Sequence, residues 1–316
     1  MSRNCLYCYN QLPDDTDGDF HEHCSLDFFG TKEQPDFSYS LAQMDELAKN
    51  VIERSIAVPG VQPKLSLTMV NSALDDGKNG RLTVVGALGS NYIFKPPSLI
   101  FPEMPQNEHL TMRMAEAFGM KTAKSSLIRL KSGELSYITK RFDRTDLGEK
   151  KHMLDMFQVL EAFDKYKGSM EKVGKAVGQY SNRSAFDKLY YLELTIFSFL
   201  TGNNDMHLKN FSLLLDNKKW GLSPVYDLLN VAIVNPEDKE ELALTIEGKK
   251  KKLGLENFQH LGAKLDLNKK QIRNVFKRFE KFKPLADEWI QRSFLSEEYK
   301  EKYTYLLNMR YDILYF

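Results

Sequence analysis

Long apolar runs are missing from this sequence. The best candidate, Leu192 to Leu200, is interrupted by Glu193, Thr195 and Ser198, and falls well short of the roughly 20 residues that cross a bilayer. It reads as a buried helix segment. The first residues, MSRNCLYCYN, carry no apolar stretch of the kind a secretion signal needs. A surplus of charge is missing too: 44 Lys and Arg stand against 43 Asp and Glu, so overall charge implies neither a nucleic-acid nor a membrane partner. Cysteine is scarce. The 3 residues, all before position 25, are an odd number and too few for a disulfide framework. Internal repeats and low-complexity segments are also lacking. These absences point to a soluble cytoplasmic protein with no membrane partner. What is present is a 316-residue chain, 42% hydrophobic and 12% aromatic, enough for a substantial core in two domains or one bilobal unit.

The pattern changes along the chain. Residues 1–30 are polar and Asp-rich around their cysteines. Residues 38–54 place Leu41, Met44, Leu47, Ala48 and Val51 at helical spacing. A β-rich region follows, with strands expected at 61–70, 81–85 and 91–94 around the turn-forming DDGKNG of 75–80. Residues 105–119 read as a helix opened by Pro105 and Asn107 and closed by Gly119. Residues 127–130 and 135–139 form an expected hairpin around Lys131-Ser132-Gly133. From about Arg144 helices dominate, at 155–179, 184–201, 268–282 and 296–313, with a second hairpin, 211–215 and 220–225. The fold class expected is α+β: a β-rich N-terminal lobe at 31–144, a mainly helical C-terminal lobe at 145–316, and a cleft between them.

The segment TGNNDMHLKNFSLLL (201–215), followed by LSPVYDLLN (222–230), carries the chemistry. Phosphoryl transfer needs a carboxylate near the attacking hydroxyl and oxygen ligands for a magnesium ion on the phosphates. Asp205 and Asn210 share a short loop, and a hairpin brings the chain back to Asp227. Two carboxylates and an amide are hard ligands suited to Mg²⁺. Asp205 is then the base and Asn210 and Asp227 are metal ligands. Lys209 offsets charge on the moving phosphoryl group, and His207 braces the loop. An isolated Asp or Asn in a loop is more often a cap or turn residue; it is the joint spacing that favours function.

The β-rich part supplies the rest of a nucleotide site. Tyr92-Ile93-Phe94-Lys95 is an apolar strand ending in a lysine able to reach α- and β-phosphates. Glu108 either pairs with that lysine or belongs, with Asn107, to helix capping. Residues 58–66, with Val61 and Gln62, form a loop and strand expected over the phosphates. Near the N-terminus, Cys5, Cys8, His21 and Cys24 give a C-x₂-C pair and, after a dozen residues, H-x₂-C. Thiolates and imidazole in tight pairs suit tetrahedral Zn²⁺, so residues 1–30 are expected to form a zinc-knuckle-like segment, with His23 as the alternative nitrogen ligand.

Several segments together resemble the HipA family of bacterial toxin kinases: GVQPKLSL (60–67), YIFKP (92–96), NEHLTMRMAEAFGM (107–120), KRFDR (140–144), NDMHLKNFSLL (204–214), SPVYDLLN (223–230) and LALTIEGKKKKL (242–253). The resemblance runs from about residue 55 to the end. It implies a bilobal protein-kinase-like fold, ATP and Mg²⁺, and serine/threonine kinase activity on a protein substrate, with an aminoacyl-tRNA synthetase as the target it points to. It gives phosphate contact to Lys95, the base to Asp205, the metal to Asn210 and Asp227, and adenine contacts to Lys140 through Phe142. It implies a helix-turn-helix antitoxin partner, with DNA reached through that antitoxin. Two departures stand out. Where the family carries an autophosphorylated serine, this chain has Ala57 and Pro59, leaving Ser55 as the phosphosite candidate. The chain also resembles the shorter HipT-type forms, whose small N-terminal subdomain is a separate protein, which makes such a protein an expected partner. Lys249 to Lys252 and KRFEKFK (277–283) read as solvated faces, with DNA contact the minority alternative. The rival readings are a lipid or small-molecule kinase, and a non-catalytic kinase-fold module that binds an antitoxin.

Overall fold

The computed structural model describes residues 3–44, 46–47, 64–71, 80–84, 90–98, 100–145 and 148–316. Val61, Gln62, Ser55, Ala57 and Pro59 lie outside the described residues, as does most of 38–54, of which 41–44 and 46–47 are helical. The chain divides into two compact units, Met1–His109 with Ala123–Glu149, and Leu110–Thr122 with Lys150–Phe316.

The first unit is built on an antiparallel sheet of β1 (Leu65–Asn71), β2 (Gly80–Val84), β3 (Tyr92–Lys95), β4 (Ser125–Arg129) and β5 (Leu135–Lys140), ordered β2-β1-β3-β5-β4. The hairpin β4–β5 pairs Leu127 with Tyr137 and Ile128 with Ser136, as the alternation around Lys131-Ser132-Gly133 leads one to expect. Gly133 closes the turn at φ 105°, a backbone region that glycine alone enters freely. Leu65, Leu67, Leu82, Tyr92, Phe94, Leu127 and Ile138 are buried and form the sheet's share of the core. The N-terminal segment docks on β4, where Leu127 N donates to the Leu6 carbonyl at 3.3 Å. Its short helix, Glu22–Phe29, ends at Gly30 in the left-handed conformation and buries Phe28 and Phe29 beside Tyr92. The helix Met104–Ala117 begins in this unit and finishes in the second, and Gly119, at φ 81°, ends its helical path where expected.

The second unit is mainly helical. Its centre is the helix Ser184–Leu200, strongly apolar in its second half, with Tyr191 through Leu200 all buried. Around it stand the helices Met170–Tyr180, Leu255–Lys264, Lys269–Arg292 and Glu297–Tyr315. Side chains of Ser169, Asn268 and Ser296 cap three of these by accepting from backbone N–H groups of the first turn. A small antiparallel sheet, β6 (Met153–Asp155), β7 (Ser212–Asp216) and β8 (Lys219–Leu222), completes the unit in the order β6-β7-β8. Asn217 and Lys218 both take positive φ, the signature of a two-residue hairpin turn whose twist matches its strands.

One expectation is corrected. Residues 155–179 are not a single helix. Strand β6 leads into one helical turn, Met156–Val159, and a loop then runs to Ser169, the cap of Met170–Tyr180. Glu161 at φ 49° breaks the helical path. Gly168, where an added Cβ would meet Leu208 at 3.2 Å, sits where the loop passes close to its neighbour.

Candidate functional site

In the second unit the loop Thr201–Asn210 leaves the central helix and ends in a single 3₁₀ turn, Leu208–Asn210, that feeds β7. Buried hydrophobic residues within it, Met206 and Leu208, and at its two ends, Leu200 and Phe211, pin it, so its polar side chains are held rather than free to wander. The Asp205 carbonyl accepts from His207 N at 2.8 Å, and the His207 carbonyl from Asn210 N at 2.9 Å. His207 is buried with its ring edge-on to Tyr166, 5.2 Å between centroids.

The hairpin β7–β8 returns the chain so that Asn210 and Asp227 meet: the Asn210 amide donates to Asp227 Oδ2 at 3.0 Å. Tyr226 fixes that meeting. Its hydroxyl donates to the Lys209 carbonyl at 2.8 Å, so the Ser212 hydroxyl, 2.6 Å away, must donate to the phenol oxygen. Asp227 takes φ 62°, a left-handed conformation of the kind that persists where surrounding structure holds it and that concentrates at functional sites. The Asn210 Oδ1 atom is buried and accepts no hydrogen bond. A buried amide oxygen left over beside a carboxylate is a pair of hard oxygen donors, and that pair fits Mg²⁺.

Asp205 is held by a residue the sequence did not reveal. The Tyr166 hydroxyl, from the loop that breaks the expected 155–179 helix, donates to Asp205 Oδ1 at 2.8 Å. Burial, then the Asp205 charge, push that phenol's pKa well above its ordinary value, so it stays protonated and remains a donor. Lys209 is exposed, and its ammonium lies over the Phe157 ring at 4.7 Å from the centroid.

In the first unit Lys95 ends β3, and Glu108 lies in the second turn of the helix Met104–Ala117. Their side chains form an ion pair of 2.6 Å with exposures of only 5% and 2%. Of the two sequence readings of Glu108, pairing is the one observed. The Tyr137 ring stands 5.3 Å from the Lys95 ammonium. Lys140 closes β5 and gives its backbone N–H to the Lys124 carbonyl, and Phe142 follows in a half-buried turn. Beside it is a cluster missed in the sequence. Asp143 accepts two bonds from Arg141, 2.9 and 2.7 Å, and one of 2.6 Å from Arg144. Burial alone would raise the Asp143 carboxyl, but the bond and charge of Arg141 and the charge of Arg144 bring it below its ordinary value. The ligand atoms of Cys5, Cys8, His21 and Cys24 all lie within 4.8 Å of one another.

Comparison with known proteins places this arrangement in one class, an α+β kinase-like fold. Shewanella oneidensis HipA, solved with HipB and operator DNA, superposes with a TM-score of 0.66 at 24% identity, covering 84% of this chain and 70% of that one. The Helicobacter pylori proinflammatory kinase CtkA superposes with a TM-score of 0.50 at 18% identity, covering 72% and 90%. In sequence, Y4dM of Sinorhizobium fredii, named as a candidate kinase, is 33% identical over 74% of this chain and 60% of its own length. The serine/threonine-protein kinase toxin HipA of Shewanella oneidensis is 28% identical over 61% of this chain and 47% of its own. The match thus spans about half the length of these curated relatives. The family profile described as HipA-like C-terminal domain matches residues 56–285. The chain belongs to the HipA-like family. No helix among the described residues is long and apolar enough to cross a membrane.

Proposed function

We propose that this chain is an ATP- and Mg²⁺-dependent kinase that transfers the γ-phosphoryl group to a serine or threonine hydroxyl of a protein, as the cytoplasmic toxin of a toxin–antitoxin pair. The observation that carries this reading is the Asn210–Asp227 pair with its unengaged buried amide oxygen, in the same loop system as an Asp205 carboxylate oriented by a phenol. Mg²⁺ held by Asn210 and Asp227 supplies charge neutralisation on the phosphates. Asp205 accepts the proton of the substrate hydroxyl as its oxygen bonds to the γ-phosphorus and the bond to the β–γ bridging oxygen breaks, releasing ADP. Lys95, its ammonium fixed by Glu108, is assigned to the α- and β-phosphates. Lys209 steadies the moving phosphoryl group, Val61 and Gln62 cover the phosphates, and the backbone of Lys140 with the ring of Phe142 receives the adenine. Ser55 is the candidate for regulatory phosphorylation.

The partners proposed are an aminoacyl-tRNA synthetase as substrate, a helix-turn-helix antitoxin through which DNA is reached, and a small separately encoded subdomain protein. The complex of Shewanella HipA with HipB and operator DNA supports the antitoxin. The test is calorimetry of nucleotide binding with and without Mg²⁺. Asp227→Ala should lose the Mg²⁺-dependent part of the affinity, and an unchanged affinity refutes its ligand role.

A further inference from the structure

The four-residue cluster at the N-terminus offers more than a sequence pattern. Cys5 and Cys8 lie in a tight turn in which Cys5 N donates to the Asn10 carbonyl at 2.9 Å and Tyr9 N to the Cys5 carbonyl at 3.0 Å. His21 is the N-cap residue of the helix Glu22–Phe29, whose first turn carries Cys24. This is a knuckle facing a helix start, and it brings His21 Nδ1 to 3.4 Å from Cys8 Sγ and 3.8 Å from Cys24 Sγ. Ligands bonded at ordinary zinc distances to one tetrahedral ion stand about 3.5 to 3.8 Å apart. The His21 ring is already set for the task. Its Nε2 lies 3.1 Å from the Gln11 carbonyl, which can only accept, so the proton sits on Nε2 and the Nδ1 lone pair faces the thiols. His23 Nε2 approaches Cys24 alone, at 3.3 Å, and stacks on the His21 ring. The structure therefore favours His21 over its neighbour.

The knuckle also reaches the nucleotide half-site of its own unit. Tyr9 directly follows Cys8, takes φ 66° and is buried. Its hydroxyl is 3.0 Å from Nδ1 of His109, which is wholly buried. His109 Nε2 lies 3.2 Å from the Ser125 carbonyl and so carries the proton, leaving Nδ1 to accept from the Tyr9 hydroxyl. His109 is the next residue after Glu108, the partner of Lys95.

We propose that Cys5, Cys8, His21 and Cys24 bind one structural Zn²⁺ and that this knuckle, through the Tyr9–His109 hydrogen bond, positions the helix turn that carries Glu108. The zinc site and its link to the Glu108 turn stand apart from the kinase reading. The residues from 3 to 30 are too few to hold a core of their own, which is the situation in which a metal supplies folding free energy.

Elemental analysis of the purified full chain tests the first part, with the expected result of one zinc per chain. Replacement by Co²⁺ should give the visible bands of a tetrahedral thiolate site. Cys8→Ser and His21→Ala should lose or shift those bands, and His23→Ala should leave them unchanged. Substoichiometric zinc in wild-type protein that is folded by circular dichroism overturns the site, and so does metal content unaffected by Cys8→Ser. Hydrogen exchange at amides 107–110 tests the second part, in the absence of nucleotide. Chelation should speed it, and Tyr9→Phe should speed it while zinc stays bound. Unchanged exchange in both overturns the coupling. These readouts need no phosphotransfer, so failure of the kinase reading leaves them standing.

Discussion

Removing the Glu108 carboxylate should be among the most damaging single changes in the first unit. The pair it forms with Lys95 is 2.6 Å long, with side-chain exposures of 5% and 2%, so solvent screens it little. Taking one partner from a buried ion pair costs about 3–5 kcal/mol, because the other charge stays buried without its counter-ion. For a domain of this size about 4 °C of Tm accompanies each kcal/mol, so Glu108→Ala should lower the transition of that unit by roughly 10–20 °C. Calorimetric melting without nucleotide is the assay. The double variant Lys95→Met with Glu108→Leu separates stability from function. Apolar replacement of a buried pair is near neutral or stabilising, so the double variant should melt close to wild type while its ATP affinity is lost. A Glu108→Ala shift of under about 4 °C, corresponding to less than about 1 kcal/mol, refutes the claim that the pair is desolvated.

Tyr166→Phe removes the donor 2.8 Å from Asp205 Oδ1, worth about 1 kcal/mol, so kcat should fall about five-fold with the KM for ATP unchanged in steady-state kinetics. An unaltered kcat means that the phenol does not orient the base. Asp143 predicts a pH effect. Its folded pKa is depressed, so between that value and the unfolded one the unfolded chain binds more protons, and stability rises with pH. Its contribution is fully present above about pH 4, the unfolded value, and is lost as pH falls through the folded pKa. Asp143→Asn should therefore be less stable than wild type at neutral pH, with the gap narrowing on acidification in denaturant titrations.

Much of this was legible because it is local. The turn chemistry at Lys131-Ser132-Gly133 and at Asp216 to Lys219 set two hairpins, and the strongly apolar run of Leu192 to Leu200, though interrupted by Glu193, Thr195 and Ser198, marked the central helix. The Asn210–Asp227 meeting was legible too, because a hairpin of ordinary length must bring its ends together. What was missed lies across long stretches of chain. The Tyr166–Asp205 bond and the Tyr9–His109 bond join residues that no periodicity connects. Helical spacing in 155–179 concealed the break at Glu161, since tertiary contacts of the loop near Gly168 outweigh local propensity. The Arg141–Asp143–Arg144 cluster looked like an ordinary charged stretch, because sequence alone does not show burial.

The most direct test incubates the purified chain with γ-labelled ATP, Mg²⁺ and a bacterial lysate, beside Asp205→Gln, which keeps the side chain polar but removes the proton acceptor. A labelled protein band present with wild type and absent with Asp205→Gln, both binding ATP equally, is the predicted result, and mass spectrometry then identifies the phosphorylated serine or threonine. Equal labelling by the two proteins, or no protein labelled while ATP is bound, contradicts it.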